Sequence, residues 1–459
     1  MPPILQSKLL KGLREAISCQ PGALVLREWL GLAEGSLRFS EWQTRAAELN
    51  QLTCLCIDTT SACDLACKMC YFNPGIKTGQ PAAPQDAFVR AIAEAQSGLG
   101  LRNLVFTGKE PFLNPQLLLN LLRSSFELNV QFPDRRFQVG AITNGRHFAR
   151  IWTELEELSA LGALDYLDIS IDSGFAAQHD DIRGKTGAFA AAVSAAKESA
   201  GRLSNTRIGI NSVLLPDNQA GLLELIREMH RDVQHFFIAP VQPPPFALSP
   251  FVGSADVVGL CRSLRSLLAS ELAEANIDVT VLVQGLNIHT LAEADLLNLD
   301  NLSENDQGMC SSGEEIAGNR LLYQMTILPE YGHRMARILH TGAYLAHAHF
   351  VETPHPEEHS VGYIQKEPLS MLYRRGKEAA SLFARLASAR SNHDCRNREC
   401  WVSCFGGWSV AEQSLLYGQQ ETERSLLCVS PGELLPESVF TKTLDGHHHD
   451  LPLAQGGGK

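Results

Sequence analysis

An alternation of short apolar runs with longer amphipathic stretches limits the fold of this chain more than any other feature. The apolar runs have strand length and cover residues 52–60, 102–108, 136–145, 165–173, 205–215 and 234–242. Helix-like stretches between them cover residues 84–100, 114–129, 186–201 and 218–233. Such an order predicts right-handed βαβ units and a parallel sheet, either open or curled into a partial barrel.

The segments on either side of this alternation predict additional domains. A helix over 254–275 and a strand-like run over 277–285 follow the sixth apolar run, and beyond residue 300 cysteine and glycine become more frequent. The predicted parts are a helical N-terminal extension (1–50), a partial barrel (51–245), a helix and strand linker (246–300), a cysteine-rich α+β domain (301–440) and a disordered tail (441–459).

Composition excludes several classes of protein. The chain has 459 residues, of which 44% are hydrophobic and 20% charged, and its formal net charge is −12. That charge offers no basic surface for nucleic acid or for an acidic membrane. The first residues alternate apolar with charged side chains, unlike a signal peptide, and no apolar run reaches membrane-spanning length. We therefore expect a cytoplasmic enzyme, in which 12 cysteines serve metal binding or catalysis rather than disulfides.

Three of these cysteines lie close together directly after the first apolar run. Cys63, Cys67 and Cys70 have the spacing C-x3-C-x2-C. Three thiols cannot all pair as disulfides, and a closed structural zinc site needs a fourth ligand, which Cys54 or Cys56 could supply. The alternative is a metal site with one open position. Ligands of parallel α/β folds bind at the carboxyl ends of the strands, which is where this loop lies.

Polar residues follow the other predicted strands at the same edge of the sheet. They are Thr107, Gly108 and Glu110 after the second strand, Thr143, Asn144 and Gly145 after the third, Ser170 and Asp172 on the fourth, and Asn211 on the fifth. A single residue of this kind is usually a cap or a turn. Together they predict one site at the mouth of the barrel.

With these motifs the sequence resembles the radical S-adenosylmethionine (SAM) superfamily. The cysteine spacing matches the superfamily signature, TGKEPF (107–112) resembles its Gly-Gly-Glu-Pro turn with Lys109 in place of the second glycine, and SID (170–172), TNG (143–145) and HDDIRGKTGAF (179–189) resemble further segments. Met69 stands where an aromatic residue usually precedes the third cysteine. The SAM-binding residues that the resemblance implies are Tyr71, Gly108, Glu110, Pro111, Asn144, Ser170, Asp172, Arg183 and Asn211.

The resemblance implies a partial (β/α)6 TIM-like barrel, a cofactor and a reaction. Cys63, Cys67 and Cys70 would ligate three irons of a [4Fe–4S] cluster, and the fourth iron would bind the amino and carboxylate groups of SAM. The reduced cluster would cleave SAM to methionine and a 5′-deoxyadenosyl radical, which removes a hydrogen atom from the substrate. Such an enzyme needs an external electron donor such as flavodoxin or ferredoxin.

The cysteines near the C-terminus resemble a SPASM/twitch extension of the same superfamily, which carries auxiliary [4Fe–4S] clusters. CRNRECWVSC supplies Cys395, Cys400 and Cys404, while Cys310 and Cys428 flank this segment at a distance. One auxiliary cluster would take Cys395, Cys400 and Cys428, with Cys404 or Cys310 as the fourth ligand. Two clusters with incomplete cysteine ligation and a zinc knuckle are the alternatives.

The functional expectation is an oxidoreductase that oxidises or crosslinks a peptide or protein substrate in natural-product or cofactor maturation. The alternatives are a dehydrogenase, epimerase or decarboxylase of a sugar or another small metabolite, a methylthiolating or sulfur-inserting enzyme, and a zinc-binding interaction protein on a degenerate barrel. Members that modify peptides often begin with a winged-helix domain, and the predicted N-terminal extension is too short for one.

Overall fold

The structure is a computed structural model that describes most of the barrel and parts of its surroundings. The described residues are 3–33, 36–37, 41, 45, 52–70, 81–241, 256–282, 299–305, 310–325, 334–345, 357 and 360–377. Among the predicted site residues, Tyr71, Cys395, Cys400, Cys404 and Cys428 lie outside this set, and so does the predicted tail.

Helices and strands alternate through the barrel region as the sequence predicts. The strands are β1 (Cys54–Asp58), β2 (Asn103–Thr107), β3 (Gln138–Thr143), β4 (Tyr166–Ser170), β5 (Arg207–Leu214), β6 (His235–Pro240) and β7 (Asp278–Leu282). The helices are α1 (Pro3–Cys19), α2 (Leu24–Ala33), α3 (Gln85–Gly98), α4 (Pro115–Gln131), α5 (Trp152–Leu161), α6 (Ala176–Arg183), α7 (Ala188–Arg202), α8 (Gln219–Met229) and α9 (Val257–Ser270). Helices α5 and α6 were not predicted from periodicity.

Six further strands join the same sheet from the part of the chain beyond residue 300. They are β8 (Ser303–Glu304), β9 (Cys310–Ile316), β10 (Asn319–Met325), β11 (Met335–Ile338), β12 (Ala343–Leu345) and β13 (Ser360–Tyr363). The strand order is β13-β12-β11-β1-β2-β3-β4-β5-β6-β7-β10-β9-β8. Pairing is parallel from β11 to β10 and antiparallel among the outer strands. The result is an unclosed parallel sheet in a mixed α/β fold, which confirms the predicted partial barrel.

The two faces of the sheet differ in chemistry because strand side chains alternate between them. On β1, Leu55 and Ile57 belong to the main hydrophobic core, and Cys54, Cys56 and Asp58 alternate with them. The same alternation continues along β2 to β7, where one face packs under the helices and the other is more polar. We call the second face, which carries Asp58, the concave face.

The helices pack on the core through apolar residues at helical spacing. In α3 the buried residues include Ala87, Phe88, Ala91, Ile92 and Ala95, a pattern of the 3.6-residue period that predicted this helix. At the N-terminus, Gln20 and Leu26 hydrogen-bond to the chain near β8, with Gln20 Nε2 3.2 Å from the Leu302 carbonyl oxygen. None of the described helices is long and apolar enough to cross a membrane.

Candidate active site

The loop that carries the three cysteines begins five residues after the end of β1, at the carboxyl edge of the sheet. Cys63 and Cys67 are half-buried and Cys70 is exposed. The backbone N–H of Leu65 donates to Cys63 Sγ at 3.5 Å, and the N–H of Cys70 donates to the Cys67 carbonyl at 3.2 Å. These bonds fold the loop back on itself and keep Cys67 and Cys70 in one turn.

On one side the loop is attached by a half-buried carboxylate, Asp64. Its Oδ1 accepts a hydrogen bond from the Asn144 side chain at 2.9 Å and lies 3.2 Å from His147 Nε2. Its Oδ2 pairs with Arg146, and Lys185 Nζ donates to the Asp64 carbonyl oxygen at 3.1 Å. We call these five residues the carboxylate clamp. It joins the cysteine loop to the segments that follow β3 and α6.

On the other side the loop rests on the end of α6 through backbone hydrogen bonds. The N–H of Ala66 donates to the Arg183 carbonyl at 3.2 Å, and the N–H of Lys68 donates to the Ile182 carbonyl at 2.9 Å. Gly184 ends the helix with a φ of +67°, and a Cβ atom there would lie 2.4 Å from the Ala66 carbonyl oxygen. We call Ile182, Arg183 and Gly184 the buried seat, after the two of them that are buried, Ile182 and Arg183.

Apolar packing completes the contact between the loop and the buried seat. Met69 packs with Ile182, Leu215 and Val241 in a small cluster of buried residues, and Cys67 lies against it. Met69 therefore fills an apolar position next to Cys70, where the superfamily pattern has an aromatic residue.

A buried ion pair links the fourth strand to the cysteine loop. Asp172 follows β4, is fully buried, and its Oδ2 lies 2.7 Å from Arg183 Nε. Its Oδ1 accepts a hydrogen bond from the N–H of Val213 at 2.9 Å. Arg183 Nη1 lies 3.8 Å from Cys67 Sγ, within hydrogen-bond range of a sulfur atom. Two residues predicted to bind the cofactor thus contact each other, and one of them contacts a predicted metal ligand.

Glu110 lies in the turn after β2 with its carboxylate buried. Its Oε1 accepts hydrogen bonds from the N–H of Phe112 at 3.1 Å and from Thr143 Oγ1 at 2.7 Å. Its Oε2 accepts one from the N–H of Asn144 at 2.7 Å. Burial raises the pKa of Glu110 to about 7, although these three donors favour the ionised form. The predicted residues Glu110 and Asn144 are therefore in direct contact.

The backbone of the same turn passes close to β1. Gly108 has a φ of +120°, and a Cβ atom there would lie 3.0 Å from the Thr60 carbonyl oxygen, so glycine is required. Pro111 begins a short 3₁₀ helix, and its carbonyl accepts a hydrogen bond from Thr59 Oγ1 at 3.3 Å. Among described non-glycine residues, positive φ occurs at Glu274, Asn276 and Ala317 alone, so Lys109 fits the turn without strain.

Ser170 and Asn211 lie opposite each other at neighbouring strand ends. They are Cα partners in the parallel pairing of β4 with β5, and both are half-buried. The structure thus gathers Gly108, Glu110 and Pro111 in one turn and places Ser170 beside Asn211. Whether these residues bind SAM stays a prediction.

The three thiols fit an iron–sulfur cluster by donor type. Thiolate is the ligand that such clusters use, and all three thiols come from one partly exposed loop. Burial raises the pKa of the Cys63 and Cys67 thiols, so the metal-free loop keeps them protonated and metal binding would release protons. In the described part of the chain, no three Cys, His, Asp or Glu side chains are grouped so that they could hold a metal ion.

Cys310 lies apart from this loop, at the start of β9. It is buried in the main hydrophobic core and is a Cα partner of Met325 in β10. The other cysteines of the predicted auxiliary cluster, Cys395, Cys400, Cys404 and Cys428, lie outside the described residues. None of the described cysteines is joined in a disulfide bond.

Sequence reasoning missed several residues that hold the site together. Asp64 and Arg146 form part of the carboxylate clamp, and Gly184 part of the buried seat. The acidic residue next to Cys63 and the basic residues after the third strand were a usable signal, since opposite charges at two strand ends favour contact. Arg337 had no such signal, because β11 reaches β1 from far along the chain.

The segment that carries these site residues matches one known protein family. Residues 57–229 match the model of the Radical SAM superfamily. These residues form a radical SAM domain, which confirms the predicted class. Members of the superfamily are SAM-dependent iron–sulfur enzymes.

Individual relatives cover different parts of the chain. GTP 3',8-cyclase of Mycobacterium sp. (strain KMS) is 30% identical over 169 residues, which are 36% of this chain and 44% of that protein. The aligned segment thus spans less than half of that relative. Streptococcus suis SuiB bound to precursor peptide SuiA has a TM-score of 0.59 at 15% identity, over 87% of this chain and 80% of that one. Native anSMEcpe with bound AdoMet and the Cp18Cys peptide has a TM-score of 0.55 at 13% identity, over 82% and 92%. At such identities the likeness extends to the fold alone.

Proposed function

We propose that the chain is a radical SAM enzyme that cleaves SAM reductively and removes a hydrogen atom from a peptide or protein substrate. The observation that carries the proposal is the three-cysteine loop, attached on both sides at the carboxyl edge of the sheet beside the buried Glu110. Cys63, Cys67 and Cys70 would hold a [4Fe–4S] cluster. When bound, such a cluster would supply the electron for reductive cleavage of SAM, the chemistry that makes hydrogen abstraction from the substrate possible.

The experiment that tests this class replaces Cys63, Cys67 and Cys70 together by alanine. Because the three residues lie in a loop outside the main hydrophobic core, we expect the variant to fold, to lose one cluster and to produce no 5′-deoxyadenosine under dithionite. Cys19→Ala is the control, since it removes an exposed thiol from α1. A triple variant that still forms 5′-deoxyadenosine would disprove the assignment.

Glu110 is the proposed partner of the SAM ammonium group. Charge-assisted hydrogen bonds contribute on the order of 1.5–3 kcal/mol, so Glu110→Gln should weaken SAM binding at least about tenfold. Since the pKa of Glu110 is raised to about 7, its proton must leave before it pairs with a cation. SAM affinity of the wild type should therefore rise as the pH increases through about 7 and level off above it, and Glu110→Gln should lack that step.

The peptide substrate is proposed from the fold neighbours, both of which have solved structures with a bound peptide. A nucleotide or another small metabolite is the second candidate, which the stretch of identity with a GTP cyclase favours. The two candidates separate in an anaerobic assay with SAM and dithionite. Formation of 5′-deoxyadenosine above background on addition of GTP supports the second, and stimulation by a candidate precursor peptide supports the first.

An auxiliary [4Fe–4S] cluster is proposed for Cys395, Cys400 and Cys428, with Cys404 or Cys310 as fourth ligand. If this auxiliary cluster forms, the variant in which Cys63, Cys67 and Cys70 are replaced by alanine should retain roughly four irons, the content of one cluster. Zinc at the same cysteines would leave that variant colourless. Cys400→Ala should still cleave SAM while product formation fails, because the proposed role of this cluster is electron transfer after hydrogen abstraction. The reductant of the signature cluster would be an external flavodoxin or ferredoxin.

A further inference from the structure

A second charged pair lies on the concave face, below the cysteine loop. Asp58 ends β1, and Arg337 lies on the neighbouring β11 as the Cα partner of Cys56. Arg337 Nη1 is 3.5 Å from Asp58 Oδ1, and the two residues are 6% and 3% exposed. We call Asp58 and Arg337 the floor pair. The pairing of β1 with β11, rather than proximity in sequence, brings them together.

Asp58 differs from the other two buried carboxylates at the mouth of the barrel. Glu110 accepts three hydrogen bonds, and Asp172 accepts one from a backbone N–H and lies 2.7 Å from its arginine. The buried Oδ1 of Asp58 accepts no hydrogen bond from any described residue. Asp172 Oδ2 accepts none either, but it lies 2.7 Å from Arg183 Nε, and Asp172 Oδ1 accepts from the N–H of Val213. A buried carboxylate in the condition of Asp58 is costly, and native proteins usually satisfy such groups with water or a ligand.

The position of Asp58 places it beside the turn that carries Glu110. Asp58 is the Cα partner of Thr107, and a Cβ atom built on Gly108 would lie 3.3 Å from Asp58 Cβ. Glu110 follows two residues later in the same turn. The end of β1 and the turn after β2 therefore border the same space at the mouth, and Cys63 lies five residues after Asp58 in the chain.

The number of hydrogen bonds that Glu110 can still accept is too small for all the donors of SAM. A carboxylate offers about four lone-pair sites, so Glu110 has about one left after its three internal bonds. SAM carries an ammonium group with three donors and a ribose with two hydroxyl groups. A ligand with so many donors needs acceptors beyond Glu110, and Asp58 is a neighbouring buried carboxylate whose Oδ1 lies 3.5 Å from Arg337 Nη1 and accepts no hydrogen bond from a described residue.

We propose that the floor pair is part of the SAM site, with the Asp58 carboxylate accepting a hydrogen bond from the ammonium or a ribose hydroxyl group of SAM. Arg337, which comes from outside the barrel motifs, keeps that carboxylate charged and holds it in place. Asp58 is then a binding residue and Arg337 a positioning residue. The inference rests on the proposed function.

The first test measures SAM affinity by equilibrium dialysis with anaerobically purified, cluster-loaded protein. Asp58→Asn preserves shape and removes the charge, and we expect about tenfold weaker SAM binding. Asp168→Asn is the matched control, because Asp168 is a half-buried carboxylate on β4 whose pKa burial raises to about 6, as it does for Asp58. We expect that control to bind SAM like the wild type. Equal affinity of Asp58→Asn and wild type would overturn the inference.

A second variant separates recognition from a purely structural role of the pair. Replacing both members in Asp58→Leu/Arg337→Met removes two charges together, which is often neutral for stability. If the floor pair is purely structural, the double variant should fold and bind SAM with wild-type affinity. That result would also overturn the inference. We expect a folded variant whose SAM affinity is lowered at least as much as in Asp58→Asn. If the double variant fails to fold, Asp58→Asn and its control decide.

The same measurement separates this inference from the proposed function. Wild-type protein that fails to bind SAM would contradict the proposed function, whereas normal wild-type binding with unaffected floor-pair variants contradicts the inference alone. Methylthioadenosine, which has the ribose but lacks the ammonium group, identifies the donor. If Asp58→Asn weakens both ligands, the donor is a ribose hydroxyl, and if it weakens SAM alone, the donor is the ammonium; either result supports the inference.

Discussion

The cysteine loop is attached to the barrel on two sides, and the two attachments differ in kind. The carboxylate clamp uses charges on half-exposed side chains, with Asp64 21% and Lys185 39% exposed. The buried seat uses backbone hydrogen bonds, an apolar cluster and a glycine that nothing larger can replace. Long charged side chains adjust when a partner moves, whereas close-packed backbone does not. The position of the three thiols should therefore depend mainly on the buried seat.

The largest expected effect comes from closing the space at Gly184. In Gly184→Ala the new Cβ atom would lie 2.4 Å from the Ala66 carbonyl, and the φ of +67° itself costs about 1–2 kcal/mol for a non-glycine residue. Since the helix end and the loop cannot both keep their positions, we expect loss of the signature cluster. Iron content per chain and production of 5′-deoxyadenosine measure the result.

Gly162 provides a matched control for this substitution. It ends α5 as Gly184 ends α6, with a φ of +76°, but no atom lies within 4 Å of its missing Cβ. Gly162→Ala should therefore show the conformational cost in thermal unfolding and keep its iron. Equal iron content in the two variants would mean that the buried seat does not set the position of the loop.

The second largest effect is expected from breaking the ion pair between Asp172 and Arg183, which is part of the buried seat. Asp172→Asn leaves Arg183 buried beside a neutral partner, and breaking a buried pair typically costs about 3–5 kcal/mol. We expect a decrease of that order in the free energy of unfolding, measured by urea denaturation. Asp278→Asn removes the partner of the more exposed Arg320 and should cost less than about 1 kcal/mol. Similar costs for both variants would contradict a special role for the buried pair.

The comparison also shows which parts of the site the sequence could predict. Strands β1 to β7 lie within the predicted runs because the pattern of apolar residues is local, and the residues after β2 to β4 follow from it. The resemblance to the superfamily covered HDDIRGKTGAF, which contains the buried seat. It did not say why Gly184 is needed, since that depends on one distance to Ala66.

Contacts between distant segments were beyond prediction for a physical reason. The spacing of apolar residues in β11 and its composition do not indicate which strand it pairs with. The contact of Arg337 with Asp58, which depends on the pairing of β11 with β1, could therefore not be predicted from the sequence. The α+β domain predicted over 301–440 stays a prediction, and the outermost described strands in this region pair antiparallel at both edges of the sheet. That β10 and β11 add parallel strands to the barrel sheet followed from the structure alone.

The smallest expected effect concerns the carboxylate clamp. Asp64→Asn removes the charge that faces Arg146 and Lys185 but retains an oxygen for the Asn144 side chain. Half-exposed ion pairs contribute about 1 kcal/mol or less, so the variant should fold and incorporate iron, with a slightly lower free energy of unfolding. The difference from wild type should shrink in 1 M NaCl, where the screening length falls to about 3 Å. Asp181→Asn, which breaks the outer pair with Lys68, is the control and should have no measurable effect on iron content. Asp64→Asn could instead lose its cluster as completely as Gly184→Ala. The carboxylate clamp rather than the buried seat would then hold the thiols in place, because the loss of one half-exposed charge would have displaced the loop despite intact backbone contacts.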